Sequence, residues 1–308
     1  MFKLVSSRVT PSYRGVGPPL SQVASYPLLP AGTKPIFKLK EARDSFDADR
    51  AKQFKVITAL FNSKEAGESW LKMRDNPVFV HLARFPDVAK NLSVLKEYMK
   101  NNYFWVREEI EGRQGRIETI PADELGTKLY EQQRLDKYKS YISGPYADYL
   151  RKLELDPMAP SQPDEATKAY AALLKEPKTY IEATVVRAAC AVGWSMALRR
   201  ILDDNYTVKK GPFYEGIMLE NVTDSFTYFK DTGEEAVEYV TTGYSGTARR
   251  LSEQIDGRLL GPDGVIVWDE PTRKRLADLT RRALDAEYNM FLASWVKVYG
   301  AVPVPPKV

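Results

Sequence analysis

Apolar residues recur at spacings of three and four along most of the chain, the signature of helices with one buried face. The pattern is cleanest from Pro86 to Glu111, where Val88, Leu92, Leu95, Met99, Tyr103, Val106 and Ile110 fall on one stripe. Gly112 and Gly115 are expected to break that helix. Ala42 to Phe61 reads as a helix, followed by a short one from the N-cap candidate Ser63 to near Asp75, ahead of Asn76-Pro77. Another helix is predicted from Pro121 to about Ile142. Gly144-Pro145 then separates it from a short one ending near Leu155. Further helices are predicted over Asp164 to Lys175 and Thr179 to Asp203. Pro271 suits the first turn of a last helix that runs to about Tyr299.

Between these, residues 205–244 are less periodic, with Phe226 to Phe229 and Val237 to Val240 as short strands or irregular pieces. Val265 to Trp268, after Asp263-Gly264, reads as one short extended segment. No internal repeat is visible. The expected class is therefore mainly α: an irregular multi-helix domain with an extended N-terminal arm, a Pro-rich C-terminal tail and at most a few short strands. Five segments follow from this. They are an arm (1–40), a helical region (41–155), a linker or loop (156–163), a second helical region packed on the first (164–299) and an extended tail (300–308).

Charge changes the picture at the N-terminus. Residues 1–40 contain no Asp or Glu but carry Lys3, Arg8, Arg14, Lys34, Lys38 and Lys40, a net charge of +6. The whole chain of 308 residues nets only +4, so the body is close to neutral. A basic, Ser-containing, acid-free arm has the composition of a mitochondrial targeting segment. Six prolines keep anything helical in it short.

Two counts restrict the chemistry. Cys190 is the only cysteine, so no internal disulfide or cysteine-based zinc cluster can form within one chain. His81 is the only histidine, which rules out multi-histidine metal sites within a subunit. Its surroundings, Val78 to Ala83, suit a structural residue, and no orienting partner for a general base is visible. No phosphate-binding loop or dinucleotide fingerprint is present, and no cofactor is expected. Asp164 to Thr167 is best taken as a helix start.

Three segments stand out. Ala188 to Leu198 is an apolar run of 11 residues, too short to span a membrane, which takes about 20. In it Ala189, Gly193 and Ala197 stand four apart as a smooth ridge for close helix packing. The last helix opens with Arg273, Lys274 and Arg275 and continues to Arg281 and Arg282. These five form a solvated basic face, or a contact for an anionic lipid headgroup or an acidic partner. Tyr130, Tyr138, Tyr141, Tyr146 and Tyr149 lie among basic residues, a mix that can stack on single-stranded nucleic acid. The near-neutral body argues against nucleic acid as a partner.

The basic arm, the motif-poor helical body and the prolines at 303, 305 and 306 resemble a class: lineage-specific accessory subunits of large mitochondrial complexes. That resemblance implies a non-catalytic structural subunit of an ATP synthase or respiratory complex. It would sit peripheral to the inner membrane, on the matrix side, and act by contacts with other protein subunits. It carries over no catalytic residues. The alternatives are an RNA-associated mitochondrial ribosomal protein and a histidine-independent soluble enzyme using carboxylates, Lys or Tyr.

Overall fold

The computed structural model describes residues 54–74, 76–78, 88–159, 162–191 and 246–303. The arm, His81, residues 205–244, Gly193 and Ala197 lie outside these. Three quarters of the described residues are helical and none forms a strand, so the mainly α expectation holds. In chain order the helices are α1 (Lys55–Phe61), α2 (Gly67–Arg74), α3 (Val88–Glu118), α4 (Leu125–Tyr141) and α5 (Ala147–Lys152). Next come α6 (Glu165–Leu174), α7 (residues 180–191), α8 (Gly246–Leu259) and α9 (Glu270–Tyr299).

Helix α9 is the hub. It packs on α1, α2, α3 and α6, and α3 packs in turn on α4 and α6. Its buried positions, from Leu276 and Leu279 through Ala283, Met290 and Ser294 to Trp295, follow the helical period. Local chemistry sets both of its ends. Asp269 accepts a hydrogen bond from Thr272 N at 2.8 Å and caps the N-terminus, with Pro271 in the first turn. Gly300 closes the C-terminus at φ 74°, a left-handed conformation that suits a residue without Cβ. Tyr98 of α3 stacks on Phe291 at 4.1 Å between centroids, tying the two long helices together. Trp70, Phe61 and Tyr170 are among the largest side chains fully buried around them, and each such burial stabilises by about 1.5–3 kcal/mol.

Helix α1 is anchored differently. Its first free N–H groups, on Lys55 and Val56, donate to the Asp256 carboxylate at 3.1 and 3.0 Å, which docks α8 against it. Ser63 Oγ accepts from Ala66 N at 3.2 Å ahead of α2, as its N-cap candidacy required. Likewise Asp164 caps α6 through Thr167 N at 2.7 Å, so it starts a helix.

Two sequence expectations need correction. Helix α3 does not stop at Glu111; it runs through Gly112 and Gly115 to Glu118. Gly112 faces Leu174, whose carbonyl oxygen would lie 3.2 Å from an added Cβ, so glycine serves helix–helix approach there. Tertiary packing outweighs a helix-propensity cost of about 1 kcal/mol. Gly144-Pro145 does not separate two helices either. The chain crosses it in a π-helical turn, Ile142–Tyr146, whose wider spacing absorbs the missing proline donor. Val265 to Trp268, read as one short extended segment, holds an isolated bridge, Leu260 with Ile266, and no strand.

Candidate active site

Four helices bring polar side chains together inside the body. Tyr98 comes from α3, Tyr170 from α6, Cys190 from α7 and Glu287 from α9. Glu287 is 2% exposed and faces the core, where a carboxyl is rarely tolerated without a partner. Its Oε1 accepts from the Tyr98 hydroxyl at 3.4 Å, a long bond. Its Oε2 and the Tyr170 hydroxyl both lack a partner at hydrogen-bond geometry. Each nonetheless lies close enough to the other, and to Cys190, to weigh on their ionisation.

The electrostatics follow from that burial. Removal from water raises the Glu287 carboxyl from its ordinary 4.5 to about 7, only partly offset by Tyr170, Cys190 and Tyr98. Burial, then the Glu287 charge, pushes the Cys190 thiol well above its ordinary range. Both phenols are driven up as well, first by burial. Cys190 keeps some surface exposure, so the cluster is not sealed from every side. Strongly shifted groups that converge from separate elements make a functional-site candidate.

Beside this cluster lies a second one that is fully charged. Glu109 Oε1 takes Arg113 Nε at 2.9 Å and Arg187 Nε at 2.5 Å, while its Oε2 accepts from Tyr138 at 2.7 Å. Burial alone would raise Glu109, but the two guanidinium groups bring it down to about 2. Arg116 Nη2 pairs with Glu131 Oε2 at 3.0 Å, and Glu131 Oε1 accepts from Tyr180 and Gln254. Outside it, a cleft of about 550 Å³ is lined by Glu124, Tyr130, Tyr180, Gln254 and Arg258, with Arg258 clasping Glu124.

The residues singled out by sequence fare differently. Ala189 is fully buried on α7; Gly193 and Ala197 fall outside the described residues. The basic face of α9 is matched by acids of the same chain. Arg273 grips Glu65 and Glu270, Arg275 binds Glu176 and Glu182, and Arg282 binds Glu176. Arg281 bridges Asp278 and Asp285, and Lys274, mostly exposed, reaches Glu270 at 3.6 Å. Several tyrosines after residue 130 also turn inward. Tyr138 joins Glu109, and Tyr146 stacks on Tyr103 and meets Tyr141 edge to face. Sequence reasoning missed Glu109, and it missed Glu287 and Cys190 as a pair. The available signal was Glu287 on the apolar side of α9, between Ala283 and Met290.

Among the described residues no three His, Cys, Asp or Glu side chains converge to hold a metal ion. No helix among them is long and apolar enough to cross a membrane. No protein-family profile matches the sequence, and no curated protein is significantly similar to it. Solved structures do match. A TenA homologue from P. horikoshii OT3 superposes with a TM-score of 0.55 at 13% identity, over 78% of this chain and 98% of that one. A TenA homologue from Pseudomonas syringae pv. tomato DC3000 gives 0.56 at 9% identity, over 86% and 99%. The fold is that of TenA homologues.

That likeness corrects the expectation of a non-catalytic accessory subunit in an ATP synthase or respiratory complex. An irregular scaffold shaped by its neighbours would not reproduce nearly the full length of a separate protein's fold. The expectation that the chain is no enzyme is corrected by the same fold match. The sequence misled because a chain with one histidine and no linear motif looks inert. In a helical bundle the buried polar groups come from four separate helices and leave no local spacing to find.

Proposed function

We propose that this protein is an enzyme whose reaction is carried by Cys190 and Glu287, with Tyr98 and Tyr170 positioning the substrate or intermediate. The observation that supports it best is the meeting of a thiol with a buried carboxyl raised to about 7, inside a TenA-like fold. Burial keeps Cys190 protonated at neutral pH, so the thiol needs a base to become a nucleophile. Glu287 suits that task because near pH 7 it is populated in both forms. As carboxylate it takes the Sγ proton while the thiolate attacks an electrophilic carbon. As acid it returns that proton to the departing group. A second cycle with water in place of the thiol frees the enzyme, and Tyr98 and Tyr170 supply hydroxyl donors for charge that develops on the substrate.

The substrate class follows by analogy alone: TenA homologues belong to thiamin metabolism, so a thiamin-related heterocycle is the first compound to offer. The acid-free basic arm supports a mitochondrial, matrix-side location for this enzyme. The test is loss of thiamin and of its aminomethylated ring fragments, followed by chromatography, for the wild type and for Cys190→Ser and Glu287→Gln. Turnover by the wild type that drops at least a hundredfold in each variant, with the helical circular dichroism retained, is expected. Equal turnover in Cys190→Ser would remove the thiol from the mechanism.

A further inference from the structure

The charged cluster behind the proposed active site encloses a cavity of about 10 Å³ among α3, the end of α6 and α7. Glu109, Arg113, Arg116 and Arg187 line it with Gly112 and Ala183. Gly112 leaves that wall without a side chain. Three guanidinium groups, Arg113, Arg116 and Arg187, face two carboxylates here, Glu109 and Glu131. One positive charge is therefore left over among the described residues. The surplus cannot be relieved by the neighbouring acid, because Glu109 Oε1 is already shared by Arg113 and Arg187 and its Oε2 by Tyr138. Arg116 is 5% exposed, and its Nε–H is buried with no acceptor.

We propose that this cavity is a binding site for one small inorganic anion of halide size. Its volume holds a single small particle. A water molecule would satisfy Arg116 Nε–H but leave the excess charge buried, a costly state in a low-dielectric interior. An anion satisfies both. Like-charge repulsion is already felt in the cluster: after burial itself, Arg187 is the next largest influence lowering the Arg113 and Arg116 guanidinium groups, with Arg116 brought to about 10. A fixed anion would relieve it. The site is separate from the thiol chemistry and stands or falls without it.

Thermal unfolding of the full chain at constant ionic strength tests this, with sodium chloride or bromide set against sodium gluconate, whose anion is too large to enter. A bound anion stabilises the folded form in proportion to ln(1 + [anion]/Kd), so the halide should raise Tm by about 2–4 °C and saturate. Arg116→Met removes the free donor and the surplus charge, while Ala183→Val narrows the cavity and leaves every charge in place. Either variant that folds should lose the halide-specific increment, whatever its own Tm. No increment in the wild type, or an increment that survives in the folded variants, overturns the proposal. Should neither variant fold, wild-type crystals grown in sodium bromide decide. An anomalous peak between Arg116 and Arg187 supports the site, and a water without one overturns it.

Discussion

Replacing Glu287 with glutamine should stabilise the protein at alkaline pH and do nothing for stability at mildly acid pH. The carboxyl titrates near 7 in the folded state against 4.5 in its ordinary surroundings. A raised folded-state value means the folded form holds its proton more tightly. The associated stability is fully present below about 4.5 and is lost as pH rises through about 7. At about 1.4 kcal/mol per pH unit, the difference of 2.5 units comes to roughly 3 kcal/mol, a penalty borne by the wild type above pH 8. Glutamine keeps the Oε1 acceptor for Tyr98 and cannot ionise, so the penalty vanishes. For a chain this long that is about 6 °C in Tm. The assay is Tm against pH from 4 to 8.5 for both proteins in one buffer series. The expected result is two curves that meet near pH 4.5, separate between 4.5 and 7 and stay apart above 7, with glutamine on top. Parallel curves would show that Glu287 is not the buried acid described here, and the proposed base would go with it.

Glu109→Gln leaves Arg113 and Arg187 buried beside a neutral partner, a change that costs about 3–5 kcal/mol in chemical denaturation. It also removes a negative charge that raises the Cys190 thiol, so the alkylation rate of Cys190 should climb at lower pH than in the wild type. Gly112→Val pushes a branched side chain against the Leu174 carbonyl, 3.2 Å from the Cβ position, and should cost about 1–3 kcal/mol by the same measurement. Gly115→Ala, with nothing within 4 Å, should instead stabilise α3 by about 0.5–1 kcal/mol. Asp269→Ala removes the N-cap of α9 and should lower stability by about 1 kcal/mol in the same denaturation series.

Local signals in the sequence carry a good part of this fold. Asp164, Asp269, Pro271 and Gly300 mark helix ends because capping is decided by a few neighbouring atoms. The apolar period of α9 points to its buried face for the same reason: three and four are local distances. What fails is anything decided across helices. Gly112 reads as a breaker, because nothing nearby in sequence says that Leu174 will press against it. Arg273, Arg275 and Arg282 read as an open basic face, because Glu65 and Glu176 stand about a hundred or more positions away. The active-site candidates are the extreme case. Tyr98, Tyr170, Cys190 and Glu287 span most of the described chain and share no motif.

The two central carboxylates show how one interior supports both structure and chemistry. Glu109 and Glu287 are buried to the same degree, at 4% and 2% exposure, yet sit at about 2 and about 7. Burial pushes both upward, so the difference must come from partners. Glu109 has two arginines and a phenol; Glu287 has phenols and a thiol but no cation. At neutral pH the first is therefore a permanent anion that fixes Arg113 and Arg187 in place. The second is poised between its two forms, which is what a proton carrier requires. Arg187 stands one turn from Cys190 and would be the obvious group to turn that thiol into a thiolate. Its charge is already committed to Glu109 at 2.5 Å, and the thiol stays protonated. In the mechanism proposed above, Cys190 gains its nucleophilic form by handing a proton to Glu287.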